Sequence, residues 1–120
     1  MTNILIVDDS SAHLYAISQL LESDGYNVVT AQSGEEGVEK AQQSRPDLIL
    51  MDIVMPGMSG FQATRELSKS NDTKEIPIIY VTTKDQETDK IWGMRQGAVA
   101  YLTKPVDGKL LLKSIKAALH

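Results

Sequence analysis

Apolar runs and amphipathic stretches alternate along this chain from its first residues to its last. Ile4-Leu5-Ile6-Val7 is a β-rich run with no polar alternation, the pattern of a strand covered on both faces. Leu14, Ile17 and Leu21 follow at helical spacing, and Asp24-Gly25 supplies a stop because glycine tolerates left-handed backbone. Tyr26 to Ala31 reads as the second strand. Ser33-Gly34-Glu35-Glu36 has capping-box spacing and opens a second helix. That helix ends near Arg45, since Pro46 disfavours helical geometry in the residue before it. Asp47 to Met51 is the third strand, and the loop Met55 to Gly60 leads into a helix through Phe61 and Leu67. Pro77 to Val81 forms the fourth strand, followed by a polar helix from about Gln86 to Gln96. Gly97 ends it, Ala98 to Leu102 is a short fifth strand, and Leu111, Ile115 and Leu119 mark one face of the last helix.

Five strand-then-helix units in series predict an α/β fold, a doubly wound five-stranded parallel sheet with helices on both faces. No linker interrupts the pattern, so one domain over residues 1–120 is expected, with no output domain. Sheets of this kind bind ligands beyond the carboxyl ends of their strands. Those ends are where chemistry is to be sought.

Composition narrows the classes. Hydrophobic residues at 42% and charged residues at 23% fit an ordinary globular mixture and argue against disorder. A net charge of −4 opposes sequence-independent binding to nucleic acid, which needs Lys and Arg to neutralise phosphates. With no cysteine, disulfides, thiolate metal sites and Cys nucleophiles are excluded. The early apolar run is too short for a signal peptide, and nothing approaches the roughly 20 apolar residues of a membrane span. No membrane association and a cytoplasmic location are expected.

The predicted strand ends carry an unusual set. The first ends in Asp8-Asp9, the third in Asp52, the fourth in Thr82-Thr83, and the fifth runs into Lys104-Pro105. Singly, each has a plain reading: an acidic pair can cap a helix, Thr83 and Gln86 have capping-box spacing, and a lone Lys is usually solvated. At four strand ends of one sheet they point to a shared pocket. Two like charges about 4 Å apart repel by roughly 4 kcal/mol at an effective dielectric near 20, so such a pocket takes up either a proton or a cation. The donors are oxygens, which favours a hard cation, Mg²⁺ first and Mn²⁺ second.

These residues resemble the receiver domains of two-component response regulators, with the CheY-like, flavodoxin-like fold that the family implies. Val7-Asp8-Asp9-Ser10, Met51-Asp52-Ile53-Val54-Met55-Pro56-Gly57, Val81-Thr82-Thr83 and Tyr101-Leu102-Thr103-Lys104-Pro105 carry the likeness, which extends along essentially the whole chain. The stretch Thr82 to Lys90 narrows it to stand-alone receivers of the chemosensory systems that control type IV pilus twitching motility. The resemblance implies that Asp52 is the phosphoacceptor, taking a phosphoryl group from a CheA-like histidine kinase. It also implies metal ligation by Asp9, Asp52 and the Val54 carbonyl, with Asp8 acting through a metal-bound water. Lys104, the Thr82 hydroxyl and the Thr83 amide would contact phosphoryl oxygens. Thr82 and Tyr101 would form the switch, altering the surface of the fourth helix, fifth strand and last helix, where a downstream protein would dock.

The same resemblance implies a cis bond before Pro105 and a monomer. Val54 is apolar where many relatives carry a polar side chain, and with Lys84 it flanks the expected path of hydrolytic water, so an altered acyl-phosphate lifetime is expected. Trp92 is read as packed or exposed on the fourth helix, and His13 and His120 as surface residues with no partner that suggests phosphotransfer or metal binding. Two other classes fit less well. A Mg²⁺-dependent aspartyl phosphohydrolase wants a second acid two residues after the nucleophile, where Val54 stands. A flavodoxin-like cofactor binder wants a phosphate loop after the first strand, where Asp8-Asp9 would repel an anion.

Overall fold

The computed structural model describes residues 1–120. In chain order its elements are β1 (Asn3–Val7), α1 (Ser11–Ser23), β2 (Asn27–Ala31), α2 (Gly34–Ser44) and β3 (Leu48–Met51), followed by α3 (Gly60–Ser68), β4 (Ile78–Thr82), α4 (Glu87–Arg95), β5 (Ala100–Thr103) and α5 (Gly108–Ala118). All four strand pairings are parallel and the strand order is β2-β1-β3-β4-β5. The winding reverses between β1 and β3, which opens a crevice at the carboxyl ends of those two strands. This is the doubly wound sheet that the alternation predicts.

The absence of polar alternation in β1, β3 and β4 has a direct cause. One face of the sheet packs Leu5, Val7, Ile49, Met51 and Tyr80 against Ala41 of α2 and Ala63 and Leu67 of α3. The opposite face packs Ile4, Ile6, Leu48, Leu50, Ile79 and Val81 against Leu14, Ile17 and Leu21 of α1 and Leu111 and Ile115 of α5. Each fully buried aliphatic side chain contributes about 1.5–3 kcal/mol. Both faces of the central strands therefore have to be apolar. No helix is long and apolar enough to cross a membrane.

The ladder also sets the positions of the strand ends. Val7 pairs with Ala31 on one side and Met51 on the other. Hydrogen bonding then runs one residue past the strands, from the Asp8 amide to Ala31 O (3.0 Å) and from the Asp52 amide to Val7 O (2.9 Å). On the far side, the Lys104 amide donates to Thr82 O at 2.8 Å. Asp8, Asp52 and Lys104 thus leave the sheet along one edge with their backbones already fixed.

Some local expectations hold and others need correction. The helix after β4 opens where expected, capped by Gln86 with Asp89 as its partner, and Thr83, whose spacing would also allow a cap, does not serve as one. Gln86 and Asp89 offer the same spacing three residues further on, which leaves Thr82 and Thr83 outside the helix. The fifth strand begins at Ala100 rather than Ala98, because Gly97 turns at φ +102 and Ala98 is buried beneath the sheet edge. The Ser33 motif forms half of a capping box. Ser33 accepts from the Glu36 amide, while the Glu36 carboxylate takes the Gln32 amide instead. The Lys104–Pro105 bond is cis, as the resemblance implies.

One close approach ties α3 to the strand that bears Asp52. Ser59 and Gln62 form a reciprocal capping box, and the Gly60 amide donates to Ile53 O at 2.9 Å. A Cβ on Gly60 would collide with Asp52 O and lie 2.8 Å from the Ile53 Cα, both backbone atoms that a rotamer change cannot move. We therefore expect Gly60→Ala to lower stability by about 1–3 kcal/mol, the usual cost of forcing atoms into a packed interior. A urea midpoint that falls at constant slope would show it, and a midpoint equal to the parent's would contradict it.

Candidate phosphoacceptor site

Three carboxylates meet at the crevice. One oxygen from each of Asp8, Asp9 and Asp52 lies within 4.8 Å of the others. Asp8 and Asp52 are buried, at 2% and 6% relative exposure, whereas Asp9 is exposed. The two buried acids are held in the same way. Asp8 Oδ1 accepts from the Ser10 amide at 2.8 Å, and Asp52 Oδ1 accepts from the Val54 amide at 3.2 Å. Each acid thus folds its own loop back on itself with a side-chain turn.

Their second oxygens converge on one cation. Lys104 Nζ donates to Asp8 Oδ2 at 2.7 Å and to Asp52 Oδ2 at 3.1 Å. All three side chains are nearly enclosed, with Lys104 at 7% exposure. Burial on its own would pull the ammonium pKa down. The hydrogen bonds and charges of Asp8 and Asp52 outweigh that and hold it above the ordinary lysine value. Lys104 is therefore charged across the physiological range. It neutralises one of the three negative charges, so the pocket keeps a net excess and remains suited to a further cation.

Thr82 is fully buried at the end of β4, and its Oγ1 accepts from the Lys84 amide at 3.3 Å. Thr83 is exposed just beyond it, and so is Val54 beyond Asp52. Tyr101, on β5, pairs with Tyr80 across the ladder, and their rings stand 6.0 Å apart edge to face. Its ring rests against Gly93 of α4, where a Cβ would sit 2.8 Å from Tyr101 Cδ2. The Tyr101 hydroxyl donates to Lys84 O at 2.8 Å, in the loop that follows Thr82. The aromatic side chain is thus joined to the end of the strand that carries Thr82. Trp92 is half exposed and edge-on to Phe61 at 6.4 Å.

His13 lies at the surface, as expected, and also reaches the site. Its Nδ1 lies 3.0 Å from Lys104 Nζ and 3.8 Å from Asp8 Oδ2. The one signal for this in the chain is its position in the first helical turn after the acidic pair, its amide bonded to the capping Ser10.

Residues 4–116 match the response regulator receiver domain family. The chain belongs to that family. Protein PilH of Pseudomonas aeruginosa is 59% identical over 119 residues, covering 99% of this chain and 98% of that protein. The transcriptional regulatory protein AfsQ1 of Streptomyces coelicolor is 36% identical over 120 residues, which make up 52% of its length. Among solved structures, chemotaxis protein CheY4 of Vibrio cholerae superposes with a TM-score of 0.93 at 36% identity, covering 99% of each chain. This receiver is accordingly a signalling domain of the CheY-like fold.

The environment of Tyr101 gives a pH prediction. Burial, followed by repulsion from Asp89, Asp52, Asp85 and Tyr80, pushes its phenol up to about 12. A raised pKa means that the folded state keeps a proton the unfolded chain has lost. Its contribution is complete below about pH 10, the ordinary phenol value, and is lost as pH rises towards 12. Stability should fall across that window, with the raised pKa of Lys104 acting in the same direction. In Tyr101→Phe the alkaline phenolate titration should lose a component near pH 12, and loss of a component near pH 10 instead would contradict the assignment.

Proposed function

We propose that this receiver accepts a phosphoryl group on Asp52 from a histidine kinase and passes the signal on by protein–protein contact, or competes for phosphoryl groups as a sink. The observation that carries this reading is the shared ammonium: Lys104 spans Asp8 and Asp52 while Asp9 offers a third carboxylate. An Asp52 oxygen would form its bond to phosphorus as the phosphorus–nitrogen bond of a phosphohistidine breaks. Such transfers need electrostatic positioning more than covalent help, because charge spreads over the equatorial oxygens.

The donor set fits Mg²⁺, or Mn²⁺, with Asp9 and Asp52 as carboxylate ligands, the Val54 carbonyl as a third and Asp8 through a water. The bound ion would supply charge neutralisation at the transferring group. Lys104 would hold another phosphoryl oxygen, with the Thr82 hydroxyl and Thr83 amide as further donors. A phosphoryl oxygen drawing on Thr82 would disturb the loop at Lys84 to which Tyr101 is bonded. Tyr101 would then relay the change to α4, β5 and α5, where Ile91, Trp92 and Met94 are exposed for a downstream protein. The apolar Val54 side chain at the mouth of the site supports an altered acyl-phosphate lifetime.

The 59% identity to PilH supports the narrower resemblance, to receivers of type IV pilus twitching-motility systems with a CheA-like donor. A cytoplasmic monomer without nucleic-acid contacts completes the proposal. The phosphohydrolase alternative is disfavoured because Val54 supplies no acid. Intact-mass measurement after incubation with acetyl phosphate and Mg²⁺ tests the reading. One phosphoryl adduct is expected, absent from Asp52→Ala and absent with EDTA. An adduct that persists in Asp52→Ala would overturn the assignment.

A further inference from the structure

An ammonium group has three N–H donors, and the structure gives that of Lys104 three neighbours: Asp8 Oδ2 at 2.7 Å, Asp52 Oδ2 at 3.1 Å and His13 Nδ1 at 3.0 Å. A lysine ammonium has no lone pair with which to accept. A hydrogen bond between this ammonium and the ring therefore needs Nδ1 as its acceptor. A protonated ring would instead set a second cation against the first. Its backbone position is built into the site as well. The His13 amide donates to Ser10 Oγ at 3.3 Å, and the Ser10 amide donates to Asp8 Oδ1 at 2.8 Å.

We propose that His13 is a positioning residue for Lys104. Its Nδ1 takes the third N–H of a lysine side chain that is only 7% exposed, holding the ammonium over the Asp52 oxygen. Without that acceptor the third N–H has to turn to water, and the long lysine side chain regains freedom that phosphoryl transfer would have to remove. The proposal rests on Asp52 as phosphoacceptor only for its effect on rate. The contact itself stands apart from that reading.

Two measurements test it. In metal-free protein, nitrogen-15 NMR should show His13 in the Nε2–H form with an unprotonated Nδ1, and Lys104→Met should shift that Nδ1 signal while leaving His120 unchanged. With acetyl phosphate and Mg²⁺, His13→Leu should slow phosphorylation about three- to tenfold, the loss of one modest hydrogen bond. His13→Gln, whose side-chain carbonyl can accept, should return the rate to within about twofold of the parent. A protonated Nδ1, or one indifferent to Lys104→Met, would overturn the proposal. So would a parental rate in His13→Leu, or Leu and Gln variants equally slow. If the parent takes up no phosphoryl group, the proposed function fails while the NMR result still decides the contact.

Discussion

A single ammonium shared between two buried carboxylates sets the terms for the whole carboxyl edge of the sheet. Removing Asp8, Asp52 and Lys104 from water is costly, and a buried ion pair often does no more than offset that desolvation. Here every oxygen of the two buried acids has a donor: one each from the loop amides of Ser10 and Val54, one each from Lys104. No buried side-chain polar atom in the chain is left without a partner. Such an arrangement fixes geometry more than it stabilises the fold. Its residual negative charge, with Asp9 open to solvent, leaves a task for a cation from outside.

The fold delivers this geometry through its most rigid part. β1, β3 and β4 are apolar on both faces because helices cover both, and their backbone ladder extends to the first residue of the site on two of them. Gly60 lets α3 start directly against Asp52 O, so Asp52 is braced from its own loop as well as from the sheet. The region joining site to surface is built differently. α4 is short and mostly exposed, and Tyr101 reaches it only because Gly93 has no side chain. Tightly bonded carboxylates thus lie next to a thinly packed helix.

Much of this was legible in the chain because two strong signals agree. Unbroken apolar runs locate the central strands, and the residues that end them are chemically unlike the rest, so Asp8, Asp9, Asp52, Thr82 and Lys104 could be placed together from topology alone. Weaker signals left local detail open. Thr83–Gln86 has capping spacing, but so has Gln86–Asp89, and the structure puts the cap at Gln86, where the helix was expected to begin. The start of β5 was blurred because Ala98 is buried without joining the ladder. His13 was missed for a different reason. Its contact with Lys104 spans 91 positions and depends on side-chain reach between a first helical turn and the end of β5, which no local pattern encodes.

Carboxylates from separate strands meet at one point of the sheet edge, with Asp9 as the accessible member, and a divalent cation should bind among them. Isothermal titration calorimetry with Mg²⁺ tests this most directly, comparing the parent with Asp9→Asn in the absence of any phosphodonor. A single site is expected in the parent, lost or greatly weakened in the variant. Equal Mg²⁺ binding by both proteins, or none by the parent, would contradict it.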